Sequence, residues 1–357
     1  MLELIGASAV HPYGARPFGA VDMTLPSGSV LAVTGPEASG KTTFLKMIAG
    51  AVEFEGKVLL GGTPVRGRRD GVVMVFDDGA VFPLRSALYN ISYPLLIRGA
   101  DKTEAREAAE RAAEIMDITA CLPFRAGALS PEERRRMSLA RLFVRDAELL
   151  LADEPCRGLS RESAERVWAH LAPLLAAKAK EGKTVIYSTS DRREALSIAD
   201  RVVVLGAGRV TGEGTPEELL SSPRDIRAAE CLAPHYNRAK CTLSDENGVL
   251  KLDFADGLVL DISSLRDRIA EGAPREVYAG WYPDGGGEKL PALSGEESYM
   301  RPVVFAERTD AGAILTLEGG FRAARSREAK TADMRPTGNG LTLFSTASGR
   351  SVMKEKA

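Results

Sequence analysis

Two short stretches bring together the residue types that phosphate chemistry requires. In SVLAVTGPEASGKTTFLKMIAG, the spacing Gly35-x-x-x-x-Gly40-Lys41-Thr42 follows an apolar run and precedes a helical one. A glycine-rich turn in that setting points successive backbone N–H groups at a phosphate, and the helix that follows adds the positive end of its dipole. The candidate phosphate-binding residues are therefore Gly35, Pro36, Glu37, Ala38, Ser39 and Gly40 in the loop, with Lys41, Thr42 and Thr43 opening the helix. Lys41 supplies a point charge for the outer phosphates, and the Thr42 hydroxyl is placed to ligate Mg²⁺.

The second stretch, AELLLADEP, is an apolar strand ending in Asp153-Glu154 before a proline. A single acid at a strand end reads as a solubilising residue, whereas two in succession call for a task. Asp153 is the candidate that holds magnesium through water, and Glu154 the candidate that orients or deprotonates an attacking water.

These residues need rigid elements to hold them. SVLAVTG, GVVMVF, ELLLADE, TVIYST and RVVVLGAGRV are short and rich in β-branched residues, as strands buried on both faces are. KTTFLKMIAG, DKTEAREAAERAAEIMDI, SPEERRRMSLARLFV and SRESAERVWAHLAPLLAAKAKEG alternate with them and carry a 3.6-residue period. The alternation predicts an α/β domain on a mainly parallel sheet. From Asn237 onward the texture changes to short alternating segments such as GVLKLDF, REVYAGWY and LTLFST, which predict a small antiparallel barrel with a Gly-rich loop at 283–298.

The bulk numbers fit this layout. A chain of 357 residues predicts two domains, and 44% hydrophobic content, 27% charged content and a net charge of -2 describe neither a disordered chain nor a polyanion binder. No nucleic-acid partner is expected. The four cysteines, Cys121, Cys156, Cys231 and Cys241, form no C-x-x-C pair and read as packing residues in a reducing compartment. No window approaches the roughly 18 consecutive apolar residues that span a bilayer, and MLELIGASAV lacks the pattern of an export signal, so a cytoplasmic location is expected.

The order of features resembles the ATPase subunit of an ABC transporter across nearly the whole chain. The phosphate loop, DDGAVFPLRSALYNI, ALSPEERRRMSLAR, LLLADEP, STSDRREALSIADRVVVL and GRVTGEGTPEEL fall in that family's order and spacing. The C-terminal part, with GWYPDGG and LTLFSTASGRSV, is similar to the OB-type (TOBE-like) domain appended in importers of maltose-like sugars, glycerol phosphate, polyamines or metal ions. The resemblance implies an ATP-binding domain at 1–225 with a helical subdomain at about 78–145, a linker at 226–236 and the barrel at 237–357. It implies ATP and Mg²⁺ as ligands, Tyr13 as the aromatic that stacks on adenine, and a peripheral place on the cytoplasmic side of the cell membrane.

It also implies that the subunit works as one of a pair, each nucleotide clamped between one chain's phosphate loop and its partner's signature helix. Four positions depart from the family's pattern. Asp77 stands where a glutamine touches magnesium, and remains a candidate ligand. The signature L-S-G-G-Q reads Leu129-Ser130-Pro131-Glu132-Glu133, keeping only Ser130 to contact the partner's nucleotide in trans. Ser160 replaces an aspartate that meets the opposite subunit, and Ser190 replaces the switch histidine. A carboxylate at Glu132 facing a γ-phosphate at ~4 Å would repel it by about 4 kcal/mol at an effective dielectric of ~20. A serine at 190 has neither the charge nor the reach of an imidazole.

The expected function is therefore that of an ABC importer subunit that binds Mg-ATP and hydrolyses it slowly. The alternative is a catalytically poor partner of an orthodox ATPase subunit in a heteromeric importer, a pairing that splits the defects between two sites. Membrane permease subunits are expected to dock on the helical subdomain near Phe82, Pro83 and Leu88, with an extracytoplasmic binding protein engaged indirectly.

Overall fold

The computed structural model describes residues 1–10, 16–67, 69–233, 236–255, 258–281, 292–294, 300–309, 312–317, 322–325, 331–333, 341–348 and 350–354. It divides into two compact units, Met1–Pro216 and Glu217–Ala357.

The first unit runs β1 (Leu2–Ala9), β2 (Val21–Leu25), β3 (Val30–Thr34), α1 (Lys41–Ile48), β4 (Phe54–Leu60), β5 (Thr63–Pro64), β6 (Val72–Val75), α2 (Ala87–Leu96), α3 (Lys102–Ile115), α4 (Pro131–Ala140), β7 (Leu149–Ala152), α5 (Arg161–Lys180), β8 (Thr184–Thr189), α6 (Arg192–Ser197), β9 (Arg201–Gly206) and β10 (Arg209–Gly214). Its central sheet has the order β10-β9-β3-β8-β7-β6. The pairs β3/β8, β3/β9, β7/β8 and β6/β7 are parallel, as expected, and every residue of β3, β7 and β8 is buried. Strands covered on both faces have no polar side to alternate with, hence their unbroken apolar spelling.

Two features were not anticipated. A second sheet of order β2-β1-β4-β5 is antiparallel and closes the core over α1 through Leu2, Leu4, Val58 and Leu60. RVVVLGAGRV, expected as a single strand, is instead the hairpin β9–β10, turning at Ala207 (φ 50) and Gly208 (φ 71). Two successive left-handed residues form the turn whose twist matches the strands, and the even run of valines concealed it.

The helical subdomain is α2, α3 and α4. The α2 residue Asn90 is fully buried and binds the loop before it three ways: its Oδ1 accepts from Phe82 N (2.8 Å), and its Nδ2 donates to Phe82 O (3.0 Å) and Ser86 O (2.9 Å). Arg141, following α4, donates to Asn90 O (3.0 Å), Asn90 Oδ1 (3.1 Å) and Ala80 O (3.2 Å), and burial lowers its pKa to about 10. The segment after β6 is thereby tied to both α2 and α4.

In the second unit, helix α7 (Pro216–Ser221) begins at its boundary, and α8 (Ile226–Leu232) occupies the segment expected as a linker, with Ile226, Ala228, Ala229 and Leu232 buried. A six-stranded antiparallel sheet joins β11 (Asn237–Glu246), β12 (Val249–Phe254), β13 (Val259–Asp261), β14 (Glu276–Trp281), β15 (Ala292–Ser294) and β20 (Leu341–Ser345) in the order β15-β13-β12-β11-β14-β20. Its core includes Leu252, Leu260, Val277, Trp281 and Leu343. A four-stranded sheet orders β18 (Arg322–Arg325), β17 (Gly312–Leu317), β16 (Met300–Thr309) and β19 (Thr331–Asp333). No pairing among the described residues closes either sheet on itself. The Gly-rich segment 283–298 lies outside the described residues except for β15. No described helix is long and apolar enough to cross a membrane.

Candidate functional site

The loop between β3 and α1, the loop after β7 and the end of β8 meet around a cleft of about 590 Å³, within the range of small-molecule sites. Its wall includes residues Glu37 to Thr43, Glu154, Arg157 and Ser190. Parallel strands place their C-terminal ends along one edge of the sheet, so residues far apart in the chain converge there.

The loop conformation depends on its glycines. Gly35 has φ 148 and Gly40 φ 98, and a Cβ on Gly35 would lie 2.2 Å from Leu205 O on the neighbouring strand. Only a residue without a side chain fits there. Two residues with side chains also adopt left-handed backbone at the cleft, Ala38 (φ 58) and Glu154 (φ 44), a strain that surrounding contacts must hold in place.

Lys41 is 5% exposed, and its Nζ donates to Gly35 O (2.9 Å) and Pro36 O (3.0 Å) while pairing with Glu154 Oε1 at 3.1 Å. A buried ammonium needs such oxygens, and an incoming anion can replace them. Glu154 is held further by Ser190, whose Oγ donates to Oε1 (2.7 Å) and whose N–H donates to Oε2 (3.2 Å). The two candidate catalytic residues are thus in direct contact.

Asp153 is 1% exposed. Its Oδ1 accepts from Ser188 Oγ (2.6 Å) and Thr42 Oγ1 (3.2 Å). Burial raises its pKa above the ordinary carboxyl value, a shift those two hydrogen bonds only partly offset. Its Oδ2 is buried without a partner, as is Ser39 Oγ in the loop. Such orphans are rare in folded proteins and call for an explanation. An unpartnered carboxylate oxygen beside a threonine hydroxyl is the hard oxygen donor set that Mg²⁺ takes, so the residues fit the ion.

Ser188, absent from the sequence expectations, serves both acids: its hydroxyl donates to Asp153 and accepts from Glu154 N (2.9 Å). One serine in a buried strand carries no signal by itself; only the strand pairing of β7 with β8 brings it beside the acids.

The remaining expected residues divide. Asp77 pairs with Arg157 (2.8 Å), and its carbonyl accepts from Arg135 Nη2 (2.7 Å). Ser130 caps α4 in a capping box: its Oγ accepts from Glu133 N (3.3 Å), and its N–H donates to Glu133 Oε2 (2.8 Å). Glu132 pairs with Arg166 (2.7 Å) and Arg136 (3.3 Å), and the Arg166 hydrogen bond holds its carboxyl below the usual range. Its charge is therefore neutralised within the chain. Ser160 caps α5 by accepting from Ser163 N (3.3 Å). Tyr13 lies outside the described residues.

Residues 18–157 match the family model described as ABC transporter. The chain is 29% identical over 334 residues to the sulfoquinovosyl glycerol transport ATP-binding protein SmoE of Agrobacterium fabrum, covering 92% of this chain and 90% of that protein. It is 34% identical over 274 residues to the sn-glycerol-3-phosphate import ATP-binding protein UgpC 1 of Rhizobium johnstonii, covering 75% of this chain and 72% of that one. It is 30% identical over 290 residues to the Fe(3+) ions import ATP-binding protein FbpC of Agrobacterium fabrum, covering 78% and 79%. Among solved structures, the dimeric post-hydrolysis state of the ATP-binding cassette MJ0796 bound to ADP and Pi aligns with a TM-score of 0.54 at 24% identity, over 60% of this chain and 99% of that one.

Proposed function

This chain belongs to the family of ABC transporter ATP-binding subunits, and from that premise we propose that it binds Mg-ATP in the cleft and couples it to uptake of a sugar, polyol or similar small solute. The observation that carries the reading is the orphaned Asp153 Oδ2, on a carboxylate whose other oxygen accepts from Thr42, the residue that follows the buried Lys41 at the end of the glycine loop. The loop amides and Lys41 take the phosphates. Thr42 and Asp153 hold magnesium, which when bound neutralises phosphate charge. Glu154 accepts the proton of the attacking water.

Turnover is slow in this reading, because Glu154 starts out engaged by Lys41 and by two donors of Ser190. A triphosphate that draws Lys41 away releases part of that hold, but Ser190 brings no positive charge toward the phosphate. The second reading, a nucleotide-holding partner of an orthodox ATPase subunit, is favoured by one observation. The Ser130 N–H is already donated to Glu133 and its Oγ already accepts from Glu133 N, which leaves only the hydroxyl proton for a partner's nucleotide. A heterodimer accommodates that defect better than a homodimer.

The membrane permease docks on the exposed apolar residues Phe82, Leu84 and Phe124, with Pro83 and Leu88 beside them, which puts the subunit on the cytoplasmic side of the membrane with an extracytoplasmic binding protein engaged through the permease. The antiparallel second unit is read as the OB-type domain appended in such importers.

Calorimetric titration of the full chain with Mg-ATP tests the central claim. Saturable uptake, with affinity falling about 100-fold or more in Lys41→Ala, is expected. No heat of binding, or a Lys41→Ala variant as tight as the parent, overturns it. Rapid ATP turnover by the chain alone, or by the chain with its permease when substrate is added, overturns the slow-hydrolysis reading.

A further inference from the structure

The charge around the cleft is poorly matched to a triphosphate. Its described wall carries four carboxylates, Glu37, Glu154, Asp191 and Glu194, against two cations, Lys41 and Arg157. Lys41 already faces Glu154, and Ser190 adds no charge. Even with Mg²⁺ offsetting two of its charges, a nucleoside triphosphate remains an anion, and a second cation on the wall would favour it.

Arg157 is built to supply it. Its backbone is pinned twice: its N–H donates to Glu154 O (3.0 Å), and its carbonyl accepts from Arg135 Nη2 (2.8 Å). The same Arg135 nitrogen binds Asp77 O (2.7 Å), so one half-buried guanidinium joins the backbones of both members of the Asp77–Arg157 pair. Exposed ion pairs contribute little when each side chain must be immobilised for the purpose. Here both main chains are already fixed, and the side chain of Arg157 stays 55% exposed on the cleft wall. Asp77 engages one guanidinium nitrogen, Nη1, of a group with five N–H donors in a rigid fork.

We propose that Arg157 is a phosphate-binding residue of this cleft, contacting the terminal phosphate of a nucleoside triphosphate, and that Asp77 acts as its positioning residue instead of as a magnesium ligand. Arg157 stands three residues after Glu154, and both line the cleft. The inference rests on the nucleotide reading of the cleft.

Titrating the full chain with Mg-ATP and with Mg-ADP, in parallel for each variant, tests it. Arg157→Ala is expected to weaken Mg-ATP about tenfold and leave Mg-ADP within about twofold, with Arg157→Lys in between. Asp77→Asn should shift the same ATP-to-ADP ratio in the same direction, Asp77→Glu should restore it, and Asp77→Asn added to Arg157→Ala should cause no further loss. Half-saturation by Mg²⁺ should be the same in Arg157→Ala with or without Asp77→Asn. Wild-type chain that takes up neither nucleotide sinks the nucleotide reading and this inference together. Wild-type binding of both, with an unchanged ratio in Arg157→Ala, sinks the arginine assignment alone. A Mg²⁺ dependence that moves with Asp77→Asn in the Arg157→Ala background returns Asp77 to the metal.

Discussion

The phosphate loop with its two acids and the capped start of α4 are both polar, both at helix N-termini, and both expected to touch nucleotide. They differ in what is left over. Around the loop, Asp153 Oδ2 and Ser39 Oγ are buried with nothing to bind. At the cap of α4, Ser130 and Glu133 satisfy each other and Glu132 is matched by Arg136 and Arg166; the buried orphans of that helix, Arg134 Nε and Arg135 Nη1, are cationic donors outside the cap. A binding site carries its desolvation cost until ligand arrives; a structural cap has already discharged it. The first region is poised for an external partner, whereas the second has found its partners inside the chain.

Asp153→Asn attacks the first region and should have the largest effect. Saturating Mg-ATP should raise the melting temperature of the parent chain through linkage, and this shift should vanish in the variant. An undiminished shift in Asp153→Asn would remove the acid from the metal site. Next in size is Ser190→His, which introduces a group able to carry charge; steady-state ATP turnover should rise about tenfold or more, with nucleotide affinity nearly unchanged. If turnover stays flat, Ser190 is not what limits the reaction.

The second region should respond in stability and not in binding. Removing the reciprocal cap with Glu133→Ala should cost about 1 kcal/mol, lowering the melting temperature by a few degrees while the chain's own Mg-ATP affinity holds. A loss of affinity equal to that at Asp153 would erase the contrast between the two regions. Smallest of all, Glu132→Gly should lower the melting temperature slightly, and the difference should shrink in about 1 M salt, because Arg166 is half exposed.

Much of this was legible without coordinates. The glycine spacing, Lys41, Thr42 and the Asp153-Glu154 pair are local patterns, and local patterns survive in one dimension. The parallel sheet was readable because strands buried on both faces must be apolar throughout. The antiparallel β1–β2–β4–β5 sheet was not, because its strands pair across the glycine loop and α1, and their burial depends on what covers them. The same holds at the start of α4: the spelling of Pro131-Glu132 gives a carboxylate there, but not that two arginines, one on α4 and one on α5, take up its charge.

By itself, the sequence determined that a glycine loop and a pair of acids sit at strand ends in an α/β domain, since bond geometry and side-chain chemistry act within a few residues. Only the tertiary structure decided that Ser188 would serve both acids, that Asp77 would face Arg157, and that Ser130 would serve as the cap of α4. Those outcomes depend on which polar atoms meet after distant segments are buried together, and each atom's partner is chosen by the whole fold.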